Sequence, residues 1–294
     1  MEEKKLGNKW QIIFAKDIVI DGKNCILVQN GLLEVLFNKD NALDIVWVKF
    51  KGVNISFLSK NGLNDGMRDF AGNFEGGFLY TCGLDNISTC VKDKPVHGSL
   101  HYKKCNNAYS FVKEDVAYVV GEISETALFG KNLILKRSYE ITDNAIFIND
   151  TVVNDDYKDA SFTMLYHINY GYPFLDNDLS IQMPNEFSEG INEFSQKQID
   201  KMFTITDPVD GGDECVYYHT LKDGCVYLKN DKVGVGVKML YDVATFPVTL
   251  EWKSMISGDY ALGIEPAFSR FDRFSMQTLK PKQSKNLSIK IIFE

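Results

Sequence analysis

The sequence predicts an all-β protein, a large antiparallel β-sandwich, on three observations. Its 294 residues are 45% hydrophobic and 13% aromatic, with 20 Phe and 14 Tyr against 7 Pro. That composition suits pleated, half-buried strands and a sizeable core. Short apolar runs recur along the chain with turn residues between them. No linker or shift of composition divides it, so residues 1–294 are read as one domain.

In chain order, Ile12-Ile13-Phe14, Ile18-Val19-Ile20 and Cys25-Ile26-Leu27-Val28 read as strands. Ala15-Lys16-Asp17 and Asp21-Gly22-Lys23-Asn24 read as the turns between them. Gly31 to Phe37 and Ile45 to Phe50 continue the meander across Asn38-Lys39-Asp40-Asn41. Residues 61–101 break the rhythm with seven glycines from Gly62 to Gly98, which marks either a functional loop set or a mobile flap. Asn144 to Asn154 then alternates cleanly, with Lys131 to Tyr139 and Ser161 to Tyr170 expected to flank it in an antiparallel set. Glu186 to Met202 is the one stretch spaced for a helix. Strands resume at Val216, Cys225, Val233, Thr249 and Tyr260, and Leu287 to Phe293 closes the chain, for about eighteen strands in all.

Net charge is −8 with no Lys/Arg-rich run, which argues against nucleic acid and anionic membrane as partners. The charged start, Met1-Glu2-Glu3-Lys4-Lys5, lacks the apolar region of a signal peptide, and no run is long enough to span a bilayer. Six cysteines form no C-x-x-C pair, as expected of free thiols in a reducing compartment. The chain is expected to be cytoplasmic.

The candidate chemistry centres on Tyr166-His167-Ile168-Asn169. Period two sends His167 and Asn169 to one face of a strand and Ile168 and Tyr170 to the other. Two polar groups on a buried face either satisfy each other and the backbone or line a cavity. Glu265, in Gly263-Ile264-Glu265-Pro266, ends an apolar strand; a lone glutamate there is commonly an edge charge facing water. Arg68 lies in the glycine-rich segment. His97 and His101 have the spacing of a helical zinc pair, but Gly98 follows the first and no H-E-x-x-H glutamate is present. Neither a phosphate loop nor a G-x-S-x-G elbow occurs.

Arg68, His97-Gly98, Tyr166-His167-Ile168-Asn169 and Glu265-Pro266 resemble the sugar site of the aldose 1-epimerase (galactose mutarotase-like) superfamily. Gly76-Gly77-Phe78-Leu79-Tyr80-Thr81-Cys82-Gly83-Leu84, Tyr166 to Pro173 and Gly263 to Pro266 are similar to an uncharacterised branch of it. The likeness runs from about residue 25 to the C-terminus.

The resemblance implies a β-supersandwich with a pyranose cleft and an isomerase that interconverts sugar anomers by acid/base ring opening. Glu265 would be the base and His167 the acid, with Arg68 and His97 holding sugar hydroxyls and neither metal nor cofactor required; beside the resemblance, Asn169 is read either as an orienter of His167 or as a sugar contact, and Trp252 as a stacking face for the sugar, against the commoner role of a core tryptophan. Ordinary pKa values of about 4.3 for Glu and 6.5 for His give those resting roles. A gap of about 5–6 Å between the two groups would admit a sugar ring with each inside proton-transfer reach. The expected partner is a small sugar or sugar derivative, with a homodimer left open. Two alternatives stand beside this reading. One is a non-catalytic carbohydrate-binding or sensing protein. The other is a hexose-phosphate mutarotase drawing its cations from Lys253, Arg270 and Arg273.

Overall fold

Twenty strands carry nearly all the regular structure in a computed structural model that describes residues 13–65, 69–88 and 94–294. The N-terminal sheet is a five-stranded meander of β1 (Phe14–Ile20), β2 (Lys23–Gln29), β3 (Leu33–Asn38), β4 (Asp44–Phe50) and β5 (Val53–Asn54). The expected turn at Ala15-Lys16-Asp17 is absent. Those residues continue β1 and pair with Val28, Leu27 and Ile26 of β2. Charges on an exposed edge strand blunt further pairing and need not mark a break.

The glycine-rich region is not one long loop. It holds a four-residue helix, α1 (Phe70–Asn73), and a fully buried strand, β6 (Leu79–Leu84). Gly76 and Gly77, at φ of 74° and 88°, bring the chain into β6. A Cβ on Gly76 would stand 2.8 Å from the Phe57 carbonyl oxygen, so only glycine fits this approach.

Four antiparallel strands follow, β7 (Asn106–Lys113), β8 (Val116–Thr126), β9 (Asn132–Ile141) and β10 (Ala145–Asn154), and then β11 (Ala160–Tyr170). The C-terminal part supplies β12 (Leu179–Gln182), β13 (Asn185–Gly190), α2 (Glu193–Lys197), β14 (Cys215–Leu221), β15 (Cys225–Asn230), β16 (Val235–Tyr241), β17 (Val248–Ile256), β18 (Asp259–Ala267), β19 (Gln277–Leu279) and β20 (Ser284–Phe293).

Eight strands form one sheet in the order β12-β15-β16-β20-β10-β9-β8-β7. The other large sheet runs β13-β14-β17-β18-β11-β19, and β6 also pairs with β11.

Two expectations fail here. The second neighbour of β10 is the C-terminal β20, not the Ser161–Tyr170 strand. Strand β11 is buried along almost its whole length, so it needs cover on both faces and sits inside the second sheet. Strand β10 alternates and needs cover on one face only. The proposed helix over 186–202 is mostly something else. Residues 185–190 are β13, and only Glu193–Lys197 is α-helical, capped by Asn192, whose side chain accepts from the Ser195 N–H.

The main core lies between the layers. Ile148, Ile289 and Ile291 face it from the eight-stranded sheet, and Tyr166, Ile168 and Ile264 from the seven-stranded one. A second cluster, with Tyr80, Leu165 and Leu250, lies on the other face of the seven-stranded sheet, and Phe70, Phe74 and Phe271 pack against it. The alternation of β11 thus sends Tyr166 and Ile168 into the core and Leu165 and His167 to the opposite side. That side carries the cleft.

Candidate active site

Strands β11 and β18 pair with Leu165 opposite Ala267 and Asn169 opposite Gly263, which puts His167 directly across from Glu265. Cross-strand neighbours on one face stand close enough for their side chains to touch. Nε2 of His167 lies 3.1 Å from Oε1 of Glu265, and both side chains are buried. Glu265 is not an edge charge, because β18 lies between β17 and β11. Nor does a 5–6 Å gap separate the two groups: they sit side by side on a sheet, not on facing walls.

The pair forms the floor of a cleft of about 820 Å³, within the size range of small-molecule sites. Phe74 and Trp252 pack on His167 with ring centroids at 5.4 and 5.5 Å, and Phe57 meets Trp252 at 6.0 Å. Glu214 accepts a 2.6 Å hydrogen bond from the Trp252 indole N–H at the mouth. Gly263 makes room for the floor. A Cβ there would lie 2.8 Å from Oε1 of Glu265 and 3.1 Å from Cε1 of His167.

His97 enters from a tight turn in which His97 and Gly98 both have left-handed backbone, at φ of 60° and 81°. Its ring stands 5.9 Å from that of His167. Nδ1 donates to the Ile87 carbonyl at 2.9 Å, so the neutral ring keeps its lone pair on Nε2.

Burial reverses the protonation expected from ordinary pKa values. It pushes the Glu265 carboxyl up to about 8, with the Glu214 charge adding to the effect. It drives His167 well below the usual histidine value, and the nearby His97 lowers it further, while the Asn169 side chain partly offsets this. His97 is also lowered by burial. At neutral pH the floor therefore carries a protonated Glu265 beside a neutral His167.

Asn169 shares the face of His167 but does not line the cleft. It is fully buried, and its Nδ2 donates to the Gly77 and His167 carbonyls at 2.9 and 3.2 Å. Its place is behind the imidazole, not against a ligand, because the Gly76-Gly77 turn covers it. Trp252 does line the cleft, and Arg68 lies outside the described residues.

His97 and His101 diverge instead of forming a metal pair. His101 points away from the cleft to Asp44 and Glu75, at 2.8 and 3.2 Å. Burial pushes it down, but those two carboxylates outweigh the burial and hold it at about 9. Its ring stacks on Tyr80 at 3.8 Å, directly behind the floor. Arg137 extends this charged layer, bonded to Asp44 at 2.6 Å and to Asp150 at 2.7 Å. Among the described residues no group of three or more His, Cys, Asp or Glu side chains could hold a metal ion, and no helix is long and apolar enough to cross a membrane.

The cations proposed for a phosphate lie outside the cleft. Lys253 faces away from Trp252 and donates to the Lys201 and Met202 carbonyls. Arg270 is held by Glu189 and Asp272. Neither these two nor Arg273 lines the cleft. Lys60, Asp213, Glu214 and Asp259 do line it, and none was singled out in the sequence. They carry no motif, and only the fold gathers them at one mouth.

A family model described as a domain of unknown function (DUF4432) matches residues 21–291. The chain belongs to this family. No curated protein matches it. A candidate aldose 1-epimerase from Klebsiella pneumoniae is similar in structure over 96% of this chain and 83% of its own, at 15% identity and a TM-score of 0.84. A galactose mutarotase-like protein from Clostridium acetobutylicum shares 17% identity over 97% and 99% of the two chains, with a TM-score of 0.73. A galactose mutarotase related enzyme from Lactobacillus acidophilus shares 14% identity over 92% and 97%, with a TM-score of 0.67. At such identities the likeness carries the fold alone, and this DUF4432 chain has the galactose mutarotase-like β-sandwich the sequence predicted.

Proposed function

We propose that this chain is a sugar isomerase that interconverts the anomers of an aldose, working on a single proton shared by Glu265 and His167. The observation that carries the proposal is their 3.1 Å contact on the floor of an aromatic cleft, with burial favouring one acid beside one base. Anomer exchange requires a proton taken from the anomeric hydroxyl and a proton given to the ring oxygen. Those two oxygens are bonded to one carbon, so a donor and an acceptor in mutual contact can address both.

In the resting state the neutral His167 accepts the hydroxyl proton while protonated Glu265 donates to the ring oxygen. The C1–O5 bond breaks and an open-chain aldehyde forms, leaving imidazolium beside carboxylate. After rotation about C1–C2, Glu265 takes the proton back from the O5 hydroxyl and His167 returns its own to the carbonyl oxygen as the ring closes. The family resemblance puts Glu265 on the anomeric hydroxyl and His167 on the ring oxygen; the protonation favoured by burial exchanges those two addresses. Trp252 and Phe74 offer apolar faces to the sugar ring, and Nε2 of His97 offers an acceptor to a hydroxyl.

Saturation-transfer NMR on a panel of aldoses tests this. The wild type should accelerate exchange for at least one sugar, and Glu265→Gln should lose about 10²–10⁴-fold of that rate. Full retention of the rate in Glu265→Gln would overturn the assignment. Saccharide binding without exchange in the wild type would favour a non-catalytic sugar-binding protein.

A further inference from the structure

We infer that the cleft selects an uncharged, deoxygenated sugar, such as a 6-deoxyhexose, over the parent hexose, its phosphate or an amino sugar. The inference rests on the proposed isomerase reading for the place of binding and goes beyond it in naming the substrate class.

The first observation is how few polar side chains in the cleft remain without a protein partner. Ser59 donates to the Phe74 carbonyl at 2.6 Å, and Asn61 to the Ala71 and Phe74 carbonyls at 2.9 Å. Lys60 is paired with Asp259 at 2.8 Å, and Glu214 with the Trp252 indole. Asn192 caps α2, His97 is tied to Ile87, and His167 and Glu265 hold each other. Among the described lining residues only the side chains of Asp213 and Ser254 lack such a bond. A fully hydroxylated hexose brings several donors and acceptors, each losing water on entry and needing a replacement partner. These groups keep some spare capacity, as Nε2 of His97 does, but each is already held in place by a protein partner and can take a new hydroxyl only where that fixed geometry allows.

The second observation is the rest of the wall. Besides Phe74 and Trp252, the rings of Phe57, Phe70 and Phe271 line the cavity, with Val96, Ile191, Val216 and Ile256 between them. A methyl group in place of a hydroxymethyl removes one donor and acceptor and presents apolar surface to this wall.

A third observation concerns charge. Asp213 and Glu214 stand exposed at the mouth, and Asp259 holds the ammonium of Lys60. A phosphorylated or carboxylated sugar would enter against these carboxylates. An ammonium substituent would be drawn to them but would lose its hydration against the aromatic wall.

The test compares four ligands on the wild-type chain: a 6-deoxyhexose, the parent hexose of the same configuration, its 6-phosphate and its 2-amino derivative. Anomer exchange by NMR gives kcat/KM, and thermal shift of Glu265→Gln gives binding independently of turnover. The 6-deoxyhexose should exceed its parent by about 10-fold or more in kcat/KM, the range over which an apolar pocket discriminates small groups. It should also bind Glu265→Gln more tightly. A parent hexose handled as well as its 6-deoxy form, or a preference for the phosphate or the amine, would overturn the inference and leave the isomerase standing. Deoxy-selective binding with no exchange of any sugar by the wild type would overturn the isomerase and leave the selectivity intact.

Discussion

Nε2 of His167 and Oε1 of Glu265 stand 3.1 Å apart because β11 and β18 are neighbours in one sheet, with Asn169 opposite Gly263 and Leu165 opposite Ala267. Two buried titratable groups in contact hold one proton more readily than two or none.

Activity should follow the shared proton. Glu265 is raised to about 8, so above that pH the pair loses its proton and the proposed reaction loses its acid. The expected result is a kcat/KM that falls about tenfold per pH unit on the alkaline side. Because the Glu214 charge helps to raise Glu265, Glu214→Gln should move that limb to lower pH. Rate profiles of the two proteins on one sugar would check both statements.

Stability should follow the same groups with definite signs. The folded chain keeps the Glu265 proton from the ordinary value of 4.5 up to about 8, whereas the unfolded chain has released it. Stability therefore falls as pH rises through that window. His167 acts in the opposite sense: the unfolded chain gains a proton below 6.5 that the folded chain refuses, so stability falls as pH drops from there. Between 4.5 and 6.5 the two effects oppose each other; above 6.5 Glu265 alone of the pair contributes, joined in the same direction by His101, which Asp44 and Glu75 hold at about 9. Denaturant titrations from pH 6.5 to 8 should give a decline of up to about 1.4 kcal/mol per pH unit from Glu265. The decline should be smaller in Glu265→Gln.

Gly263→Ala probes the geometry directly. The added methyl would meet Oε1 of Glu265 at 2.8 Å and Cε1 of His167 at 3.1 Å, with Cβ of Trp252 at 3.3 Å. Overpacking of this kind costs about 1–3 kcal/mol. The rate of anomer exchange should fall by at least about tenfold, as expected for displaced reacting groups, in a protein that still unfolds cooperatively. Wild-type turnover in this variant would mean that the contact of the pair is unimportant.

The charged layer behind the floor should matter for folding. Arg137 is fully buried between Asp44 and Asp150, and Tyr166 donates to Asp150 at 2.6 Å. Arg137→Ala would leave buried Asp150 with no cation beside it and Asp44 with His101 alone, at a cost of about 3–5 kcal/mol. Calorimetry should report a large drop in Tm. A change within about 0.5 kcal/mol, the level of an ordinary surface substitution, would show that the layer is not needed.

On the opposite face of β14 and β17, a second histidine–carboxylate contact offers a control. His219 lies 3.0 Å from Glu251 and 2.7 Å from Ser188, fully enclosed and outside the cleft. His219→Gln should lower stability by about 1–3 kcal/mol through the poorly replaced bond to Glu251. It should leave kcat/KM on the best sugar within about twofold once the folded fraction is matched, which steady-state assays at low temperature would check.

The all-β class, most strand positions and the facing of β11 were legible in the order of the amino acids. These follow from local rules, since period two assigns faces and composition favours strands. It also marked His167, Glu265, His97 and Trp252, which do line one cleft. What it could not supply was pairing across long separations. That Glu265 lies in a central strand opposite His167, that β10 pairs with β20 and that Asn169 is buried behind the imidazole all depend on which strands become neighbours. The protonation of the pair was beyond it for the same reason. Ordinary pKa values make Glu265 the base and His167 the acid, and burial in the folded sheet reverses that order. Desolvation exists only once the tertiary structure has closed over the two groups.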